Sequence, residues 1–294
     1  MRAGFLGIDE DIVSVLRNGL TSKMPKVAAF CLTQIATSDT KGHLIEYLAS
    51  SRSYHARLEA VELSAKLNHV GQLWGYLLDR HWRVRGTARF HLQKHGILDF
   101  TDYYRQRLPA PWAVAGFGEV AGEAELLELT RLLKHPQTRV RSELIRAWRN
   151  RDLRSSAAQV QSCLADSSPR VIREAIRGLR AFQTVIDAER VVQSILATED
   201  PKRRRILVDA LNLVPRWSGL RSWLDLKRKP EWFDREIPPL LWFGTYLRYY
   251  SGPSPKELEA IEGVLISVHG ELEPSVQTWI SNEIEYWKRK TIRA

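Results

Sequence analysis

The chain is poor in cysteine and has no long apolar run. Only two of its 294 residues are cysteines, Cys31 and Cys163, and both lie in apolar segments, so we expect buried free thiols rather than disulfides or thiolate metal ligands. No apolar run approaches the ~20 residues of a membrane-spanning helix. The N-terminal segment lacks the extended apolar region of a signal peptide. These absences favour a cytoplasmic protein with no membrane partner.

Signatures of common catalytic and cofactor sites are also absent. The sequence has no Walker lysine motif and no G-x-S-x-G elbow. The glycine run at 116–122 is not a dinucleotide fingerprint, because its third glycine is one place late and no strand precedes it. His91 and His95 share a helical face, but two ligands are too few for a metal site. We therefore expect no catalytic residue, metal, cofactor or small-molecule substrate, which favours a binding protein over an enzyme.

One segment of the chain occurs repeatedly. Aligning Thr138 with Pro169 places Arg139-Val140 on Arg170-Val171, Glu143 on Glu174 and Trp148 on Leu179. Further copies begin at Arg83 and Pro201, a shorter one spans 113–120, and weaker ones begin near Lys26 and Arg57. Self-similarity at this spacing is typical of stacked helical hairpins, in which Trp148 would be a core residue.

The repeated pattern resembles that of the HEAT-repeat family, in its short bacterial form with a D/P-x-V-R-x-x-A-x-x-L core. Residues 83–92, 139–148 and 170–179 carry the resemblance, which extends over about 26–214. It implies an all-α fold, a right-handed α-solenoid of about six to seven helical hairpins. It implies little about function, because function depends on sites that vary between proteins of one fold.

Capping residues mark several helix starts in the expected register. Ser168, Asp200 and Ser254 each precede a proline, and Ser254 with Glu257 matches a capping box. From residue 215 the sequence becomes rich in aromatics and proline, so we predict a repeat array over 1–214 and an atypical helical cap over 215–294. The aromatics of this cap either cover the end of the core or form a binding platform: Trp217, Trp223, Trp232 and Trp242.

Positive charge is concentrated in the middle of the chain. Residues 81–230 contain 28 basic and 16 acidic residues, whereas 1–80 contain 9 and 8, and 231–294 contain 7 and 10. In stacked hairpins the second helices line the concave surface, so cations that repeat along them form a basic stripe. The resemblance assigns Arg85, Arg141 and Arg173 to ties between neighbouring repeats, and the remaining cations form a surplus.

The surplus supports two functional hypotheses. The first is a non-catalytic adaptor or scaffold that binds an acidic partner protein, and the alternative is a nucleic-acid-binding protein. The candidate partner-binding residues are Arg89, Arg146, Arg149, Arg177, Arg180, Lys202, Arg203, Arg204, Arg205, Trp82, Trp217 and Trp223. Reversal of Arg146 and Arg177 to Glu is expected to weaken binding without lowering stability.

Two enzyme classes with HEAT-like repeats are alternatives to a binding protein. The chain is similar in architecture to the HEAT-like alkylpurine DNA glycosylases, but no segment reproduces their motif. We interpret the acids near the aromatic segment as surface salt-bridging residues: Asp225, Asp234 and Glu236. The second class is the HEAT-like lyase subunits that attach bilins to proteins. Nothing in the sequence points to a pigment, so we do not favour this class.

Overall fold

The computed structural model describes residues 41–183, 186–214, 216–227, 252–268, 270 and 272–292. These ranges contain fifteen α-helices, numbered here from the first described one, and four short 3-10 helices, but no strand. The all-α prediction is therefore confirmed. The chain forms two compact units, Met1–Gly122 and Glu123–Ala294. The sequence-based boundary at 214/215 stays a prediction.

The first unit is a series of short helical pairs. Within it α2 packs against α1, α3 and α4, and α5 packs against α6. Apolar side chains such as Leu48, Val61 and Leu92 form its core. The helices are α1 (Lys41–Ser50), α2 (Tyr54–Lys66), α3 (Val70–Tyr76), α4 (Trp82–Lys94), α5 (Thr101–Arg105) and α6 (Pro111–Val120).

The second unit repeats this pattern of helical pairs. The helices α8, α10 and α12 lie next to one another in that order, while α9 packs against α10 and α11 against α12. Toward the C-terminus α13 contacts α14, which contacts α15. The helices are α7 (Glu123–Glu128), α8 (Thr138–Asn150), α9 (Ala157–Ser162), α10 (Pro169–Ala181), α11 (Ala188–Leu196), α12 (Pro201–Val208), α13 (Arg216–Lys227), α14 (Pro255–Ser267) and α15 (Pro274–Ile292).

The predicted helix starts at three prolines are confirmed. Pro169, Pro201 and Pro255 each begin a helix, where the absent N–H has no intrahelical partner to lose. Asp200 caps α12 by accepting a hydrogen bond from the backbone of Lys202, and Ser254 forms its capping box with Glu257. Ser168 makes no side-chain cap bond, so at α10 the proline alone marks the start.

Trp148 anchors the core of the second unit, as the repeat pattern predicts. The side chain is fully buried, and its indole N–H donates to the carbonyl oxygen of Leu126 at 3.0 Å. This bond satisfies the one polar group of the side chain. It also links α8 to α7, the two helices of one hairpin.

A close contact between α5 and α6 explains part of the small-residue run. The ring of Tyr104 lies so near Gly116 that a Cβ atom there would overlap it. Tyr104 is itself fully buried. The glycine therefore serves helix packing, as expected from a sequence that lacks the dinucleotide fingerprint.

Candidate functional site: a basic face on the second helices

Arginines near the start of the second helices tie neighbouring hairpins together. The guanidinium of Arg57 donates to both carboxylate oxygens of Asp79 at 2.5 and 2.9 Å, and to the carbonyl oxygens of Ser51 and Arg52. Arg85 makes the equivalent bidentate contact with Glu119. In both cases the carboxylate belongs to the next hairpin along the chain.

Arg141 repeats the same arrangement in the second unit. It donates to both oxygens of Asp166 at 2.8 and 2.9 Å and to the carbonyl oxygens of His135 and Pro136. Such bidentate pairs fix the geometry of both partners. The tie role predicted for Arg85 and Arg141 is therefore observed in the structure. We call Arg57, Arg85 and Arg141 the arginine ladder.

The ladder role predicted for Arg173 is wrong. Arg173 is exposed, and the alignment that sets Arg139 on Arg170 sets Arg141 on Ile172, which is buried. One repeat after Ile172, the equivalent position is again an arginine, Arg204. Its guanidinium donates to the carbonyl oxygen of Glu199 at 2.8 Å. In this contact Arg204 and Glu199 take the places that Arg141 and Pro136 have two repeats earlier.

A different set of cations forms a basic face on α8, α10 and α12. On α10 they stand at positions i, i+3, i+7 and i+10, which places them along one side of the helix. The alignment of the repeats places the cations of α8 and α12 in the same rows. The basic face consists of Arg139, Arg146 and Arg149 on α8, Arg170, Arg173, Arg177 and Arg180 on α10, and Lys202 and Arg205 on α12.

Two buried glutamates, Glu143 and Glu174, lie beneath the basic face. They occupy equivalent positions of the repeat, and they are only 1% and 3% exposed. Arg146 bridges them, at 3.2 Å from Glu143 and 3.1 Å from Glu174. Arg170 contacts Glu143 at 3.2 Å, so each of the two helices supplies an arginine to the other's glutamate.

Glu174 is contacted by three arginines. Besides Arg146 it accepts hydrogen bonds from Arg149 and Arg177, both at 2.9 Å. Burial alone would raise the pKa of Glu174, but the hydrogen bond from Arg146 and the positive charges of the three arginines outweigh it. The pKa is therefore lower than that of an ordinary glutamate, and the group is ionised at neutral pH.

The basic face keeps a large surplus of positive charge. Asp209 of the 3-10 helix after α12 lies within electrostatic range of Arg173, Arg180 and Arg205. The helices α8, α10 and α12 together contain twelve basic residues and only two acidic ones, the two buried glutamates. The sequence-based surplus of arginines is thus located on three adjacent helices.

The ion pairs change one expectation about Arg146. Reversal of its charge would place a third carboxylate next to two buried glutamates, so we now expect it to lower stability. Arg177 contacts one of these glutamates from a more exposed position. Neutral substitutions at exposed cations are therefore better probes of binding than reversal.

Other predicted partner-binding residues lie elsewhere. Arg89 belongs to the first unit, where it donates to Glu119 at 2.7 Å and to the Tyr104 hydroxyl at 3.1 Å. Trp82 is exposed, also in the first unit, whereas Trp217 and Trp223 are buried. This burial favours a core role for these two, one of the alternatives that the sequence leaves open. Arg203 and Arg204 are half-buried, and Trp232 and Trp242 lie outside the described residues.

The remaining chemical candidates have ordinary structural roles. His91 contacts Glu62 at 3.1 Å, and within the described ranges no group of three His, Cys, Asp or Glu side chains could hold a metal ion. Burial raises the pKa of the Cys163 thiol to about 11, so it is not an activated nucleophile. Asp225 lies 3.9 Å from Arg221, while Asp234, Glu236 and Cys31 fall outside the described residues. No helix in the described part of the chain is both long and apolar enough to cross a bilayer.

Two features of the molecule are missed by sequence reasoning. The first is the pair of buried glutamates, although they recur at equivalent positions of the repeat. The second is a stack of rings around Trp82, formed by residues from two different hairpins. A contact between rings of two different hairpins leaves no signal in the local sequence.

Comparisons with known proteins do not assign the chain to a family. No protein-family model matches the chain, and no curated protein matches it. One similar solved structure is the crystal structure of an engineered protein, which is 14% identical, covers 94% of this chain and 97% of its own, and has a TM-score of 0.27. A likeness at that level supports no conclusion about fold or function. Membership of the HEAT-repeat family therefore stays a prediction.

Proposed function

We propose that this protein is a non-catalytic adaptor that binds an acidic segment of a partner protein on the basic face. We further propose that its hairpins are HEAT-like and belong to a right-handed α-solenoid of about six to seven repeats. The observation that carries the binding proposal is the excess of positive charge on α8, α10 and α12, which together contain twelve basic and two acidic residues. A field of one sign attracts an oppositely charged partner and raises its association rate.

The buried glutamates support the proposal because they orient the arginines. Arg146, Arg149 and Arg177 each donate to Glu174, yet a guanidinium has five N–H donors. The remaining donors are available to carboxylates of a partner. Because these side chains are already held, less rotamer entropy is lost on binding.

The chemistry of the face favours acidic protein over nucleic acid. Arginine forks match carboxylates in a bidentate geometry. Base stacking would require exposed aromatic rings among the cations, and the one aromatic residue of α8, α10 and α12 is the buried Trp148. Of the four tryptophans proposed for such a platform, Trp217 and Trp223 are buried, and the other two lie outside the described residues.

Binding of a labelled acidic peptide of alternating Glu and Ala tests the proposal. Fluorescence anisotropy is measured for the wild type and for R173Q/R180Q, which removes two exposed cations from the centre of the face. The matched control is R190Q/R221Q, which removes two exposed arginines on α11 and α13. We expect R173Q/R180Q to weaken binding about tenfold at ~50 mM salt, and the control to leave it within about twofold.

Two outcomes would overturn this function. Equal losses in both double variants would mean that net charge alone attracts the peptide. A DNA duplex of equal charge that binds far more tightly, and that loses affinity only in R173Q/R180Q, would assign the basic face to nucleic acid instead.

A further inference from the structure

The first unit carries an aromatic stack at one end of α2 and α4. Tyr54 and His81 lie parallel, with ring centroids 3.8 Å apart and an interplanar angle of 6°. His55, the residue after Tyr54, contacts the Tyr54 ring at 3.9 Å. Trp82 continues the series beside His81 at 6.2 Å and 18°. We call these four rings the aromatic stack.

Trp82 is the exposed end of the aromatic stack. It is 61% exposed, although an indole of this size is normally mostly buried. Its ring plane is close to that of His81, which is in turn parallel to Tyr54. The side chain is therefore presented to solvent as the last layer of an ordered series of planes.

Arginines lie beside the exposed ring and in the turns that precede α2 and α4. The guanidinium carbon of Arg83 lies 5.3 Å from the Trp82 ring centroid, and Arg52, Arg80 and Arg83 are all exposed. Arg80 donates to the carbonyl oxygen of Arg52 at 2.6 Å, which draws these two arginines together. The acid next to Arg80 in the sequence, Asp79, is already bound by Arg57 on both of its oxygens.

The fold explains why rings and cations meet here. The helices α2 and α4 pack side by side, and Tyr54 and Trp82 are their first residues. The positive ends of both helix dipoles therefore lie at the same end of this unit. Each feature favours a ligand that combines a planar group with negative charge.

We propose that the aromatic stack binds single-stranded nucleic acid, with a base stacked on Trp82 and the adjoining phosphates on Arg83 and Arg80. Alternating stacking surfaces and cations are the common means by which proteins bind unpaired strands. An acidic peptide would use the cations but gain nothing from an exposed indole plane. A duplex offers phosphates, but its bases are paired and stacked on one another, so Trp82 could not reach their faces.

This inference does not depend on the proposed function of the basic face. The aromatic stack lies in the first unit and the basic face in the second, and each has its own ligand and its own variants. Loss of one binding activity would leave the other to be measured.

Titration of a labelled oligothymidine tests the inference. The full-length protein is compared with W82A and W82F, and with Y286A, which removes an exposed aromatic ring from α15. Anisotropy gives the dissociation constant, and a salt series gives the slope of its logarithm. W82A is expected to weaken binding about tenfold, W82F to retain most of the affinity, and Y286A to have no effect. R83Q should reduce the salt slope by about 0.7, the value for one lost phosphate contact on a single strand.

Three results would overturn the inference. The first is wild-type affinity in W82A, and the second is an equal loss in Y286A. The third is tighter binding of the matched duplex than of the single strand. Because Trp82 is exposed, W82A should fold normally, and circular dichroism of the variant checks this.

Discussion

The buried carboxylate of Glu174 offers the sharpest test of how the second unit is held together. Replacement by Gln keeps the shape of the side chain but removes its charge. The substitution weakens the contacts to Arg146 and Arg149, which join α8 to α10, and the contact to Arg177 within α10. The second unit should therefore lose stability while the first is unaffected.

The size of the effect follows from the exposure of the partners. Loss of one side of a fully buried pair costs about 3–5 kcal/mol because the other charge stays desolvated. Here the arginines are 24–59% exposed, so water can solvate them once the carboxylate is gone. Screening by solvent therefore reduces the expected loss to about 2 kcal/mol. With a urea m-value of about 2 kcal/mol per molar, the midpoint of unfolding should fall by ~1 M.

The pH dependence gives an independent check of sign. The pKa of Glu174 is lower in the folded protein than in the unfolded chain, so its ionised form stabilises the fold above the unfolded pKa of about 4.3. That stabilisation is lost as the pH falls through the lower, folded-state pKa. The difference between wild type and E174Q should thus be largest at neutral pH and shrink below pH ~4.

Urea unfolding followed by circular dichroism at pH 7 and pH ~3.5 measures both quantities. The control is E259Q, a like substitution at an exposed glutamate of α14, which should move the midpoint by little. A loss below about 0.5 kcal/mol at pH 7 would refute the reasoning, because the ion pairs would then contribute no more than surface pairs. A loss of equal size at both pH values would show that charge is not its cause.

Two further predictions concern packing and thiol chemistry. We expect G116A to lower the free energy of unfolding by about 1–3 kcal/mol, because its methyl group would overlap the Tyr104 ring. The control G75A in α3 has open space around the new methyl group and should be neutral or stabilising in the same thermal melt. Destabilisation of the two variants by equal amounts would contradict this reasoning. In a C31A background we expect the Cys163 thiol of the folded protein to react with a disulfide reagent at neutral pH at least tenfold more slowly than in urea. The reason is that burial raises the pKa of this thiol to about 11. Equally fast labelling in both states would mean that the thiol is accessible in the folded protein.

The sequence predicted the features that depend on periodicity. The repeat alignment placed Trp148 in the core and the resemblance placed Arg141 at the tie between hairpins, and the structure has both there. Proline and capping residues marked the starts of α10, α12 and α14. These features repeat because every hairpin must meet its neighbour in the same way.

Departures from the repeat were not predictable in the same way. The R-V-I-R sequence at 170–173 shifts its second arginine by one residue relative to R-V-R, and one residue on a helix rotates a side chain by about 100°. Arg173 therefore faces solvent, and Ile172 takes the buried position. A match of residue types points to the wrong arginine here, whereas the strict alignment points to the buried isoleucine.

The candidate sites depended on contacts that the sequence does not encode locally. Which arginines pair with Glu143 and Glu174 follows from the packing of α8 on α10. The stack of Tyr54 on His81 likewise joins residues of two different hairpins. Burial of Trp217 and Trp223 depends on neighbouring helices. Composition identified the basic character of the region, but only tertiary structure separates paired from outward-facing cations.

The long side chain of the ladder arginines has a consequence for variation in repeat length. Their carboxylate partners stand 22, 25 and 34 residues further along the chain, at Asp79, Asp166 and Glu119. The partner comes from the turn before the next second helix in two cases and from inside that helix in the third. The long, flexible arginine side chain and its forked guanidinium group can thus pair with a carboxylate at different positions of the next hairpin. Hairpins can gain or lose residues in their first helix and connecting turns while the cross-link between neighbours persists.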